Sequence, residues 1–180
     1  MIFKLFSTRS RKAAVARLYG EIMAAARQPA LFLPPYGAPD TLEGRFDMLA
    51  LHIFLTVKRL AGMAEPGPQM AQDLSDHLFA AMDRALREMG VGDLAVPKRI
   101  ARLAADYNGR RTAYEAALGQ GEAALAIALA RNVHGRAEAD ASIALPLARY
   151  VLRAEAMLAG APISAFEKGP VPLPAPEEAP

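Results

Sequence analysis

The sequence predicts an all-α protein, a single-domain bundle of about six helices with a proline-rich C-terminal tail. Three observations carry that expectation. Apolar residues make up 53% of the 180 positions and aromatics only 7%, with alanine supplying much of the apolar count, a balance suited to closely packed helices rather than sheets. Apolar side chains recur at three-and-four spacing, the repeat of one helical face. Proline and glycine clusters punctuate the chain between those segments. A chain of this length buries roughly 70% of its unfolded surface, enough for one real core.

Residues 1–14 read as a basic N-terminal arm, because Lys4, Arg9, Arg11, Lys12 and Arg17 all precede the first acid, Glu21. That asymmetry suggests an anionic neighbour such as a membrane surface or RNA. The opening MIFKLF is too short and interrupted for a signal peptide. The first helix is expected from about Thr8 to Arg27, with Val15, Leu18, Tyr19, Ile22 and Met23 on one face. QPALFLPPYGAP (28–39) ends it, since its prolines cannot continue a helix, and its apolar residues should pack down.

In PDTLEGRFDMLALHIFLTVKRLAG, Asp40 or Thr41 caps the second helix, with Glu43 at the spacing of a reciprocal capping box to Asp40. Leu42, Phe46, Leu49, Ile53, Val57 and Leu60 form its main stripe, while Met48, Leu51 and Leu55 form a second on the back. A helix apolar on two faces is either central in the core or contacts a partner. A third helix over about 69–89 turns Leu74, Leu78, Ala81, Met82, Ala85 and Met89 inward, and Gly90 closes it.

The fourth helix starts near Pro97, where a missing N–H costs nothing. Two more are expected at about 122–134 and 139–159, the last kinked by Pro146. The helical domain thus spans 15–159. Residues 160–180 hold six prolines and little to bury, which predicts a disordered or extended tail. The longest apolar run, residues 48–57, is about half the roughly 20 residues a membrane span needs.

With no cysteine in the chain, disulfides, thiolate metal sites and cysteine nucleophiles are excluded. The sequence contains no glycine-rich phosphate loop, His-Glu-x-x-His, acidic metal loop or nucleophile elbow, so no catalytic residue, metal ligand or cofactor site is assigned. His52 and Met48, four apart, could face a haem, but a lone histidine is more often an ordinary hydrogen-bonded side chain. Asp73 with Asp76, and Glu138 with Asp140, sit in mixed-charge runs typical of solvated helix faces.

The fourth helix carries the most unusual pattern. Ile100, Leu103, Ala104, Tyr107, Tyr114 and Leu118 form its stripe, Lys98, Arg99, Arg102 and Arg110 lie beside or opposite it, and Arg111 projects from its middle. A buried guanidinium needs a carboxylate or carbonyl; otherwise the stripe is not fully covered. Gly109 costs roughly 1 kcal/mol inside a helix, which suggests close approach of another backbone, from within the fold or from a partner. Basic residues interleaved with tyrosines also suit phosphates and stacked bases.

Three blocks, LYGEIMAAARQPALF, PDTLEGRFDMLALHIFLTVKRL and LREMGVGDLAVPKRIARLAADYNGRRTAYEAAL, resemble the ubiquinol–cytochrome c chaperone family over about residues 15–158. The specific features are PDT-x-x-GRFD, MGVGDL-x-VPK and the later Gly-Arg-x-x-Ala-Tyr. Members often carry an aromatic pair before the Gly-Arg, where this chain has Tyr107 and then Asn108, and FLPPYGAP is richer in proline than a simple turn.

The resemblance implies a non-enzymatic assembly factor that binds newly made cytochrome b and supports maturation of the cytochrome bc1 complex. Mitochondrial relatives work beside a second small protein near the ribosome exit. The expected contact residues are Phe46, Leu51 and Leu55 of the second helix and Lys98, Arg99, Arg102, Tyr107, Gly109, Arg110, Arg111 and Tyr114 of the fourth. No small-molecule substrate, specific DNA or cofactor is expected. The chain is expected in the cytoplasm, with peripheral contact at the inner membrane face through its basic arm. The alternatives are a nucleic-acid or ribosome-binding helical module and a membrane-surface adaptor.

Overall fold

The computed structural model describes residues 2–177, excluding the side chains of residues 2–8, 138 and 139. Seven α-helices follow in order among these residues: α1 (Ile2–Ala26), α2 (Leu42–Ala61), α3 (Gly67–Glu88), α4 (Val96–Leu118), α5 (Glu122–Asn132), α6 (Leu145–Gly160) and α7 (Ile163–Glu167). Short 3-10 turns occupy Pro29–Phe32 and Glu138–Ala144. No helix among the described residues is long and apolar enough to cross a membrane.

The central helix is α2. It packs against α1, α3 and α6 and touches α4, and Met48 through Thr56 are buried without interruption. Its two apolar faces are therefore both consumed by the fold, which settles for the core the alternative left by the sequence. The exception is the first turn: Leu42 is 65% exposed and Phe46 half-buried. The cap is Thr41, whose hydroxyl oxygen accepts from the Gly44 N–H at 3.1 Å. Asp40 instead binds the Arg45 guanidinium at 2.6 Å.

The two polar side chains at the centre of α2, His52 and Thr56, are partnered, the Thr56 hydroxyl donating to the His52 carbonyl at 3.0 Å. His52, completely buried, lies with Nδ1 2.7 Å from the Met48 carbonyl and Nε2 2.7 Å from the Tyr150 hydroxyl. The carbonyl can only accept, so Nδ1 carries the proton and Nε2 accepts from the tyrosine. This is a structural histidine that ties α2 to α6. Tyr150 in turn meets Tyr36 edge-on at 5.8 Å, so the proline-rich 28–39 segment packs down as expected, with Leu31, Tyr36 and Ala38 buried.

Helix ends follow the local chemistry. Gly90 takes φ +79°, and the Val91 N–H reaches the Leu86 carbonyl at 3.0 Å while the Gly90 N–H reaches Arg87 at 2.9 Å. That is a Schellman closure of α3, which needs the left-handed region open to glycine. Pro146 does not kink a long final helix. The chain forms the separate 3-10 turn first, and Pro146 stands in the first turn of α6, where no hydrogen bond is lost.

Two expectations about the termini are corrected. Helix α1 already runs from Ile2, so most of the basic arm is helical, and Arg11 is not free: its Nε binds the Asp73 carboxylate of α3 at 2.6 Å. The side chains of MIFKLF lie outside the described residues. The tail finds much to bury. Phe166 of α7 is fully buried, Arg17 donates to the carbonyls of Phe166 at 2.7 Å and of Gly169, and Glu21 accepts from the Val171 N–H at 2.7 Å. Further on, the Glu177 N–H donates to the Tyr36 hydroxyl at 2.9 Å. Residues 170–177, without helix or strand, lie as an extended strap held to the bundle by these contacts, the second of the two alternatives, extended rather than disordered. Residues 178–180 lie outside the described part.

Candidate functional site

The first turns of α2, the last turns of α3 and the middle of α4 enclose an open groove of about 350 Å³. Its walls are Leu42, Phe46 and Leu49 from α2, Met82, Ala85, Leu86 and Met89 from α3, and Leu103 from α4. Met89 is 55% exposed at the rim, and Leu94, in the loop that leads into α4, is fully exposed. Contiguous apolar surface of this kind marks contact sites, and methionine side chains adapt to varied partners. Charged residues at the groove are Arg27, Glu43, Arg45, Asp47, Asp106 and Arg110.

The groove exists because α4 is too polar to cover its neighbours. Only Val96, Tyr107, Tyr114 and Ala117 of α4 are buried, while Leu103, Asp106 and Arg110, at spacings of three and four, face the gap. Apolar residues of α2 and α3 therefore meet one leucine and a charge pair instead of a matching stripe. Arg110 of α4 meets Asp47 of α2 across the gap, with Arg110 Nη2 2.9 Å from Asp47 Oδ1. Asp47 Oδ1 and Arg110 Nε have no hydrogen-bond partner, and the contact is one of charge.

The buried arginine tie is thus formed by Arg110, not Arg111. Arg111 is exposed, as are Lys98, Arg99 and Arg102, and none of these four forms an ion pair among the described residues. The stripe through Arg111 is incompletely covered, since Ile100, Leu103, Ala104 and Leu118 are only half-buried. Gly109 is exposed, and a Cβ there would meet nothing within 4 Å, so no backbone of this chain approaches it.

Four expected contact residues are corrected. Leu51 and Leu55 are fully enclosed in the α2 core, and Tyr107 and Tyr114 are buried at the root of α4, Tyr107 edge-on against Phe79 at 5.9 Å and Tyr114 against Phe54 at 6.0 Å. Their side chains hold α4 to the bundle and cannot reach a partner or stack on bases. Phe46 and Arg110 do line the groove. Groove residues outside the expected set include Leu42, Met82, Met89, Leu103, Glu43 and Asp106. A signal for them was present: Leu42 and Phe46, and Met82 and Met89, end their stripes where α4 offers mainly charge.

The family model for ubiquinol-cytochrome C chaperone matches residues 35–173. The chain belongs to that family. A crystal structure of the Cbp3 homolog from Brucella abortus shares 40% sequence identity with it, covers 96% of each chain and superposes with a TM-score of 0.81. Among curated proteins, none matches. The family match starts later than residue 15 and runs past residue 158 into the strap, consistent with the packing of α7. Within the family pattern, the PDT-x-x-GRFD block builds the cap of α2 and one wall of the groove, and MGVGDL-x-VPK builds the closure of α3 and the exposed loop tip. The departure at Asn108 costs the core nothing, because that position is exposed.

Two buried ionisable groups titrate in opposite senses. Burial pushes Asp47 up to about 6; Arg110 opposes this, and Asp106 and Glu43 add to it. Burial holds His52 down to about 4 against the Met48 hydrogen bond. A raised carboxyl contributes stability that is full at low pH and is lost as pH rises through about 6. A depressed histidine contributes stability that is present above its ordinary range and is lost as pH falls through about 4. The two trends oppose each other across this window. Asp47→Asn should therefore gain up to about 2 kcal/mol over the wild type at pH 7.5, with the gap reduced to about a third of that by about pH 4.5. Urea denaturation at both pH values measures it, and a gap independent of pH would refute the assignment.

Proposed function

We propose that this chain is a non-catalytic assembly factor that binds newly made cytochrome b and supports biogenesis of the cytochrome bc1 complex, acting at the inner face of the membrane. Membership of the ubiquinol–cytochrome C chaperone family is the observation that carries this reading. The groove supports it: a membrane client presents apolar helices before it is assembled, and a helper needs accessible apolar surface edged by charge. Outside the groove lining, α4 also leaves Lys98, Arg99, Arg102 and Arg111 exposed.

Deletion of the gene should lower the haem b absorbance of the bc1 complex and the cytochrome b level in the membrane, and a plasmid copy should restore both. Unchanged spectra and unchanged cytochrome b in the deletion strain would sink the proposal.

A further inference from the structure

The charges at the groove are unevenly placed. Arg45 is taken by Asp40 at 2.6 Å, and Arg27 stands at the α1 end. Around Asp47, in contrast, Glu43 and Asp106 are close enough to oppose its ionisation, and Arg110 is the single neighbouring cation. Three carboxyl groups thus face one guanidinium at the α2–α4 end. Asp47 is 7% exposed and is among the residues that line the groove, as are the exposed Glu43 and Asp106. An excess of carboxylates at one end of an apolar groove favours a cationic partner there.

We propose that this groove seats the end of an apolar client helix, with the lysine or arginine that follows that helix lying against Asp47, Glu43 and Asp106. This rests on the assembly-factor reading and says which part of the client is held. Apolar anchors entering between helices are the helix-in-groove mode. A space of about 350 Å³ is at the small end of binding sites and takes a few large side chains rather than a whole helix. Loops on the cytoplasmic side of membrane proteins carry an excess of Lys and Arg close to the helix ends, so apolar and basic elements arrive together in the order the groove presents. An acidic helix end would meet like charges, which penalises the wrong partner.

The test uses the full chain and a fluorescein-labelled amphipathic helical peptide with leucines along one face and two lysines after its last turn. A twin peptide ends in two glutamates. Anisotropy titrations should show the lysine form binding at least about tenfold more tightly at low salt. Asp47→Asn combined with Glu43→Gln should bring the two affinities close together. Met89→Asp, at an exposed rim position that tolerates charge, should weaken both forms about tenfold or more with an unchanged circular dichroism melt.

Equal binding of the two peptides, or binding indifferent to Met89→Asp, would overturn the proposal. So would a concentration-dependent dimer lost in Met89→Asp, because a second copy would then occupy the groove. In the deletion strain, full rescue of cytochrome b by both the Met89→Asp and the Asp47→Asn/Glu43→Gln chains would reject this docking while leaving the assembly role intact. A deletion strain with normal cytochrome b would reject the assembly role itself.

Discussion

Gly44→Ala is expected to destabilise the protein by about 3 kcal/mol or more, a large share of the roughly 5–15 kcal/mol that holds a domain together. A Cβ at Gly44 would lie 2.0 Å from the Pro39 carbonyl oxygen and 2.9 Å from its carbon. Both are backbone atoms, so no side-chain rotation relieves the clash. The chain entering α2 would have to move, and with it the Thr41 hydroxyl that accepts from the Gly44 N–H, the Asp40–Arg45 pair and the groove wall that starts at Leu42. Gly109→Ala is the matched control: it adds a methyl group in open space and should stabilise α4 by about 1 kcal/mol. Thermal and urea melts of the two variants give the answer directly. A Gly44→Ala protein as stable as the wild type would show that the α1–α2 connection is not seated as described.

Arg110→Ala and Arg111→Ala, one position apart, should behave very differently. Removing Arg110 leaves the buried Asp47 without its cation, which at pH 8 should cost about 2–3 kcal/mol, the lower side of the range for breaking a buried pair because Arg110 is partly exposed. At pH 5 the loss should shrink, since Asp47, already raised to about 6, then carries a proton and needs no counter-charge. In an Asp47→Asn background the same Arg110→Ala change should cost much less, and the double-mutant cycle isolates the pair. Arg111→Ala removes an exposed side chain and should stay within about 0.5 kcal/mol. Equal losses from the two arginines would show that α4 is rotated from the orientation described.

Most of the architecture was legible because it rests on local chemistry. The periodicity of α1, the cap at Thr41, the proline start of α4 and the glycine closure of α3 are set by residues within one turn of each other. The last helix was misread for a related reason: Pro146 is compatible with either a kink or a first turn, and only the 3-10 turn packed on α5 selects the second. For the tail the sequence left disordered and extended states open, because proline content reports chain stiffness, not adhesion. Phe166 and the carbonyls captured by Arg17 become visible only when α1 and α7 lie side by side.

The site was half legible. Phe46 and Arg110 line the groove, but Leu51, Leu55, Tyr107 and Tyr114 were assigned to a partner although the bundle itself covers them. An amphipathic pattern says that a face is to be buried, not by what. Local pattern was enough for an all-α chain, for the bounds of α2, α3 and α5 to within a few residues and, through the motif blocks, for the family, but not for the starts of α1 and α6 or for α7. Tertiary structure alone decided that α2 is central, that a gap opens where α4 turns charge toward Leu42 and Met89, and that Arg110 rather than Arg111 meets a buried acid. Adjacent helical residues point about 100° apart, so one step along α4 separates the groove from open solvent, and which direction is which depends on how the helix is set against α2 and α3.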